Sequence, residues 1–359
     1  MHALVGASSV DSVVRVTGNF ASEGPLHPAA REALLAAFDQ GWADPKKISQ
    51  SAAKAAILHN QALENIATSL QLPTASLEVL GEPSLGHFLA IAGLFRDSSA
   101  FAYSAIDKGK VRAIARSHRN EVRQLPVSAT GAILESESIT ENSVFSLQLA
   151  NAETGVIQED IPTPPHIRIA IDATASGPRL PLPAQWDTAL FDSQSWNGPA
   201  GLAIVAIRDR AEYSYPLPRI APISVPGSYS LPLLIASSIA LENFQQEEQS
   251  IRSYAISQFL TLEGVEIVAP NSVALPHLLS VVVHGVAGEP IVRELAALNI
   301  DVDSGSACSP EDLQPSHVLA AMGYDTKGHL RFRFHSGTTE EDIASLTSSL
   351  REVLQRLRR

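Results

Sequence analysis

The stretches "HIRIAIDAT" (His166–Thr174) and "GLAIVAIRD" (Gly201–Asp209) constrain the fold of this chain more than any other feature. Each is a short, nearly apolar run closed by turn residues. A strand with one wet face alternates polar and apolar side chains, whereas a strand covered on both faces has no need to. Helices must therefore flank the sheet, and the sequence supplies them. "PLHPAAREALLAAFDQG" (Pro25–Gly41) predicts a helix with proline near its start, Leu34, Leu35 and Phe38 on one face, and Gly41 as its stop. Ile48–Leu72 carries apolar residues at helical spacing and ends before Pro73. "SVFSLQLAN" (Ser143–Asn151) predicts a third strand. Interleaved strands and helices imply an α/β fold with a mainly parallel sheet, whose ligands lie beyond the carboxyl ends of the strands.

The style changes towards the C-terminus. Leu231–Gly264 reads as one long helix. A strand (His277–Val286), a helix (Gly288–Leu298) and an alternating strand (His329–His335) follow. In the closing segment Thr338 and Glu341 fit a capping box, and Ile343, Leu346, Leu350, Val353, Leu354 and Leu357 form one apolar stripe. The expected division is a large α/β domain over 1–244 and a small α+β domain over 245–359.

Composition narrows the function. A formal net charge of -12 argues against nucleic acid and anionic membranes, which require clustered lysine and arginine. One cysteine, Cys308, excludes an intrachain disulfide and a cysteine-rich metal site, and it fits a reducing cytoplasm. No metal site is expected. The N-terminus lacks the pattern of a signal peptide. The longest apolar stretch, Leu231–Leu241, is too short to span a bilayer.

Several residues stand where chemistry is possible. Asp172 closes an apolar strand and can face a ligand or cap a turn. Asn151 ends another strand and can hold a ligand oxygen or form a turn. His118 can stack on a flat ring or sit in the core. Ser195, in "DSQSWNGPAG", has no neighbouring base to activate it as a nucleophile. Arg331 and Arg333 point to one face of their strand, suited to a carboxylate or to water. Cys308, in "SGSACSPED", sits in loop-forming composition, where a thiol can reach a substrate and then a partner. Its neighbours Asp301, Asp303, Glu311 and Asp312 oppose its ionisation.

These stretches together resemble one family over nearly the whole chain. "SGSACSP…QPSHVLAAMG" followed by "HLRFRF" is similar to the C-terminal signature of cysteine desulfurases of the class V aminotransferase fold. "NAETGVIQ" resembles their Asn-x-Glu-x-Gly turn. "IDATASG" resembles the strand whose aspartate pairs with the pyridine nitrogen of pyridoxal phosphate (PLP). The resemblance implies an aspartate-aminotransferase-like fold (PLP transferase fold type I) and a homodimer, or a heterodimer with a desulfurase-fold relative. It implies Cys308 as sulfur acceptor, Asp172 as pyridinium partner and His118 as stacking ring. Ser84 would stand near the phosphate, Asn151 near the ring hydroxyl, and Arg331 on the substrate carboxylate.

The sequence departs from the family where the chemistry is concentrated. Members carry a His-Lys pair before a Gly-Pro-x-Gly turn. Here Gln194 and Ser195 take those places ahead of Gly198, Pro199 and Gly201. A hydroxyl cannot form an imine, so covalent anchoring of PLP is excluded at Ser195. No lysine lies between Lys110 and Lys327, so the sequence predicts no nearby substitute. The phosphate-binding stretch reads "LGEPSLGHF", in which Pro83 and Leu85 present a phosphate poorly. Three readings follow: a partner subunit or sulfur acceptor acting through Cys308, an active PLP-dependent desulfurase or transferase, and a structural homologue in which Cys308 is a relic.

Overall fold

The apolar runs assemble into a seven-stranded sheet of order β2-β8-β7-β6-β5-β3-β4. A computed structural model describes residues 18–39, 43–97, 99–159, 161, 163–220, 223–305 and 315–359. Cys308 lies outside the described residues. The strands are β2 (Leu77–Leu80), β3 (Phe101–Ser104), β4 (Val122–Leu125), β5 (Val144–Gln148), β6 (Arg168–Asp172), β7 (Thr188–Asp192) and β8 (Ala203–Ile207). Pairings from β4 through β7 are parallel, and β8 runs antiparallel to both β7 and β2.

Successive side chains of a strand point to opposite faces, and both faces here are covered. Ala189 and Phe191 of β7 pack into a cluster with α1 (Pro28–Asp39), α2 (Gln50–Ser69) and α5 (Leu231–Glu242). Leu190, between them, packs instead on Leu89 and Ala90 of α3 (Gly86–Ala92). Farther along that face Phe101 and Val144 meet Val111 and Ala115 of α4 (Gly109–Ser117). This double burial is why β6 to β8 read as continuous apolar runs.

A second core surrounds an antiparallel sheet of β11 (Val265–Ile267), β12 (Leu278–Val283) and β14 (His329–Arg333). It is packed by α6 (Gln249–Phe259), α7 (Gly288–Ala296) and α9 (Glu340–Leu357). Phe20 of the short β1 (Asn19–Phe20) enters this core through a parallel pairing with β13 (Asp301–Val302). The helix α8 (His317–Met322) and a two-stranded pair, β9 (Arg219–Ile220) and β10 (Ile223–Ser224), complete the elements.

Two local expectations need correction. The predicted single helix over 231–264 is broken between α5 and α6. The break carries Phe244 under the Arg179 guanidinium, 4.7 Å from the ring centre, and brings Glu247 onto the same guanidinium. The capping box of α9 is formed by Thr339 and Asp342, one residue later than expected, with the Asp342 amide donating to the Thr339 hydroxyl and the Thr339 amide to the Asp342 carboxylate.

Candidate active site

The carboxyl ends of β5, β6 and β7 converge, and Asp172 lies at the centre of that edge. Its Oδ1 accepts the Thr174 amide over 2.9 Å and the Thr174 hydroxyl over 2.5 Å. Its Oδ2 accepts His87 Nε2 over 2.9 Å and stands 3.7 Å from Lys108 Nζ. Lys108 also donates to the Thr174 hydroxyl. Burial alone would push the Asp172 carboxyl up. The Lys108 ammonium, the His87 ring and the Thr174 hydroxyl outweigh it and hold the group well below the usual carboxylate range. The preceding Asp107 is also buried, and burial drives its carboxyl well above that range.

Two clefts meet at Thr174 and Asp192. One, of about 280 Å³, is lined by His87, Lys108, Lys110 and Pro83. The other, of about 350 Å³, is lined by Ser195, Gln194, Ala175, His277, Arg331 and Arg333. A larger cavity of about 650 Å³, between α2 and Gly227–Pro232, shares no residue with either.

Ser195 is buried, and its hydroxyl donates to the Asp192 carbonyl over 2.7 Å. Gly177, at φ +53°, presses against it: a Cβ at that glycine would meet Ser195 Oγ at 2.3 Å. The Ser195 carbonyl accepts Arg179 Nη1 over 2.6 Å. Arg179 in turn makes a two-pronged pair with Glu247, its Nε donating over 2.7 Å, and the guanidinium is fully buried.

The other predicted residues are placed as follows. Arg331 reaches the second cleft, but its Nη2 lies 2.9 Å from Asp303 Oδ2. Arg333 joins it there, donating to the carbonyls of Ser22 and Gln194. Asn151 is buried, and its amide is engaged within the protein. Its oxygen accepts the amides of Glu153 and Thr154, and its nitrogen donates to the Ile106 carbonyl over 3.1 Å. The Ser84 hydroxyl and amide both donate to Glu82 Oε1, over 2.5 and 3.1 Å.

His118 is a correction. It caps the C-terminus of α4, stacks on Phe95 at 4.3 Å and donates to the Ser99 carbonyl over 2.8 Å. It lines neither cleft. The ring packs against Phe95 and edge-on to Phe101. Lys108, outside the lysine-free interval from 110 to 327, brings a primary amine to 3.7 Å from Asp172 Oδ2 and lines the first cleft, not the one that holds Ser195. His87 and Lys108 are the residues around Asp172 that the sequence reading did not single out.

Described residues on either side of the Cys308 segment contact the rest of the chain. Ser316 Oγ donates to Glu153 Oε2 over 2.6 Å. His317 Nε2 donates to the Asp107 carbonyl over 2.9 Å. On the other side Gly305 packs on His329, where a Cβ would approach Nδ1 to 2.4 Å.

Comparison with known proteins follows this geometry. The aminotransferase class-V family matches residues 223–346. The cysteine desulfurase IscS 1 of Archaeoglobus fulgidus is 30% identical over 268 residues, covering 66% of this chain and 68% of that protein. The chain belongs to the cysteine desulfurase family. A second cysteine desulfurase, IscS of Ectopseudomonas mendocina, is 25% identical over 379 residues, with 98% of this chain and 90% of the relative covered. Among solved structures, a NifS-like protein from Rickettsia africae superimposes with a TM-score of 0.80 at 17% identity, over 95% of this chain and 100% of that one. SspA in complex with cysteine superimposes with a TM-score of 0.74 at 21% identity, over 89% and 99% of the two chains. These two likenesses establish the fold.

Cysteine desulfurases work with PLP, so the cleft can be tested against that group. The residues present do not fit it. Ser195 offers no amine, and its hydroxyl is held by Asp192. Asp172 already has protein partners on both oxygens. At the stretch that matches the family's phosphate-binding segment the Ser84 donors are taken by the carboxylate of Glu82.

Proposed function

We propose that this cysteine-desulfurase-like protein has lost PLP catalysis of its own and works as a partner subunit that takes sulfur onto Cys308. One observation carries the reading: Ser195, at the position of the anchoring lysine, is buried and tied by its hydroxyl to the Asp192 carbonyl. General-base catalysis is worth about 10²–10⁴-fold, and a serine there supplies neither the base nor the anchor. The acceptor role draws support from the family resemblance around Cys308, and C-terminal to that segment Ser316 and His317 are held by Glu153 and the Asp107 carbonyl.

The transfer balances without an outside redox partner. The Cys308 thiolate attacks the terminal sulfur of a donor persulfide, the donor S–S bond breaks, and the donor leaves as a thiolate. Cys308 becomes a persulfide. The donor is an active desulfurase-fold relative, paired with this chain as a heterodimer, or met by a homodimer of it, in the cytoplasm.

The test incubates the full-length protein with an active cysteine desulfurase and sulfur-labelled cysteine, then maps the label. Label on Cys308, lost in Cys308→Ser, is the expected result. A Cys308 that never acquires sulfur leaves the third reading, a relic. A second reading, a working PLP enzyme, is favoured by the amine of Lys108 at the cleft. It requires alanine production by the isolated chain supplied with PLP and cysteine.

A further inference from the structure

We infer that Lys108 is a built-in counter-ion for Asp172, an ammonium group of the chain standing against the carboxylate that the family turns towards a cationic ring. The inference rests on the reading of the cleft as one without a covalent cofactor, and it is independent of sulfur transfer to Cys308.

Asp172 ends a central strand and is 6% exposed, so its charge needs a partner. In a family that binds a pyridinium, the cofactor is one such partner. Here compensation is internal. Lys108 leaves the end of β3 immediately before α4, two strands away from β6 in the sheet, and reaches to 3.7 Å from Asp172 Oδ2. Thr174 relays the contact, accepting from Lys108 and donating to Oδ1. His87 completes the shell on Oδ2. His87 Nδ1 has no partner, so its hydrogen-bonding capacity here is directed through Nε2 to the carboxylate. Lys108, His87 and Thr174 thus supply from the chain itself a charge partner and donors for both oxygens of Asp172.

Two measurements on the full-length protein test this. The first adds PLP and follows visible absorption and the melting temperature, with borohydride reduction and peptide mapping at the end. The expected result is an absorption spectrum of free PLP, no rise in melting temperature and no pyridoxyl group on any cleft residue. The second is a urea-unfolding cycle of Lys108→Met, Asp172→Asn and the double variant. Lys108→Met lowers the folding equilibrium constant, and Asp172→Asn removes at least about threefold of that loss, because no charge remains to be compensated. Lys108→Arg retains most of the stability. Additive effects in the cycle without PLP uptake overturn the counter-ion role alone. A reduced pyridoxyl adduct on Lys108 overturns both the role and the reading of the cleft.

Discussion

Ser316 donates its hydroxyl hydrogen to Oε2 of Glu153 over 2.6 Å, tying the start of α8 to the turn after β5. The same hydroxyl oxygen accepts the Leu319 amide, so one side chain caps α8 and joins it to the turn after β5. Ser316→Ala removes both contacts and is expected to cost about 1–2 kcal/mol. Glu153→Gln keeps an acceptor and loses less. Urea midpoints of the two variants check the order.

Arg179 and Glu247 form a buried pair whose side chains are 0% and 9% exposed. Removing one partner of such a pair strands a charge, at a cost of about 3–5 kcal/mol. Glu247→Leu is therefore expected to be severely destabilising, whereas Arg179→Leu with Glu247→Leu recovers much of the loss. Thermal denaturation of the single and double variants is the measurement.

Burial lowers two histidines of the small sheet region. His329 falls to about 4, with Arg331 adding to the effect and Glu153 and Asp303 opposing it. His335 also falls to about 4, through burial and Arg333, against its bond to the Ala21 carbonyl and the charges of Glu247 and Asp303. The folded state thus favours the neutral rings. Their stabilising contribution is complete above the unfolded value of 6.5 and is lost as pH falls through 4. Each contributes a slope of about 1.4 kcal/mol per pH unit inside that window. Stability measured from pH 7 to pH 4 should fall steeply, and His329→Gln should flatten the curve.

Restoring lysine at position 195 is expected not to restore cofactor binding. Ser195→Lys pushes a long side chain against Gly177, and it leaves the Ser84 hydroxyl committed to Glu82. The variant should show no imine band with PLP. Gly177→Ala, which sets a Cβ 2.3 Å from Ser195 Oγ at a left-handed φ, should lose about 1–3 kcal/mol of stability by overpacking.

The sheet was legible because burial on both faces removes the polar alternation from β6 and β8. Asp172 was legible for the same reason, as a carboxylate ending an apolar run. The interruption between α5 and α6 was hidden, since Glu and Gln at 245–248 are good helix formers and only the distant Arg179 draws Glu247 away. The capping pair slipped by one because Thr338 and Thr339, like Glu341 and Asp342, are adjacent equivalents. Lys108 was hidden by linear counting, which measures distance along the chain rather than across the sheet. Its signal was present all the same: "FAYSAIDKGK" sets a lysine just past the end of a buried strand. His118 misled because a histidine near the right place says nothing about which side of α4 it occupies.

The guanidinium of Arg179 holds the carbonyl of Ser195 with one arm and the acidic side chain preceding α6 with the others. It behaves as a latch between the serine-bearing turn and the stretch of chain that leads into the C-terminal core. Any load placed on that core by a docked protein has a mechanical route, a single side chain long, to the floor of the cleft.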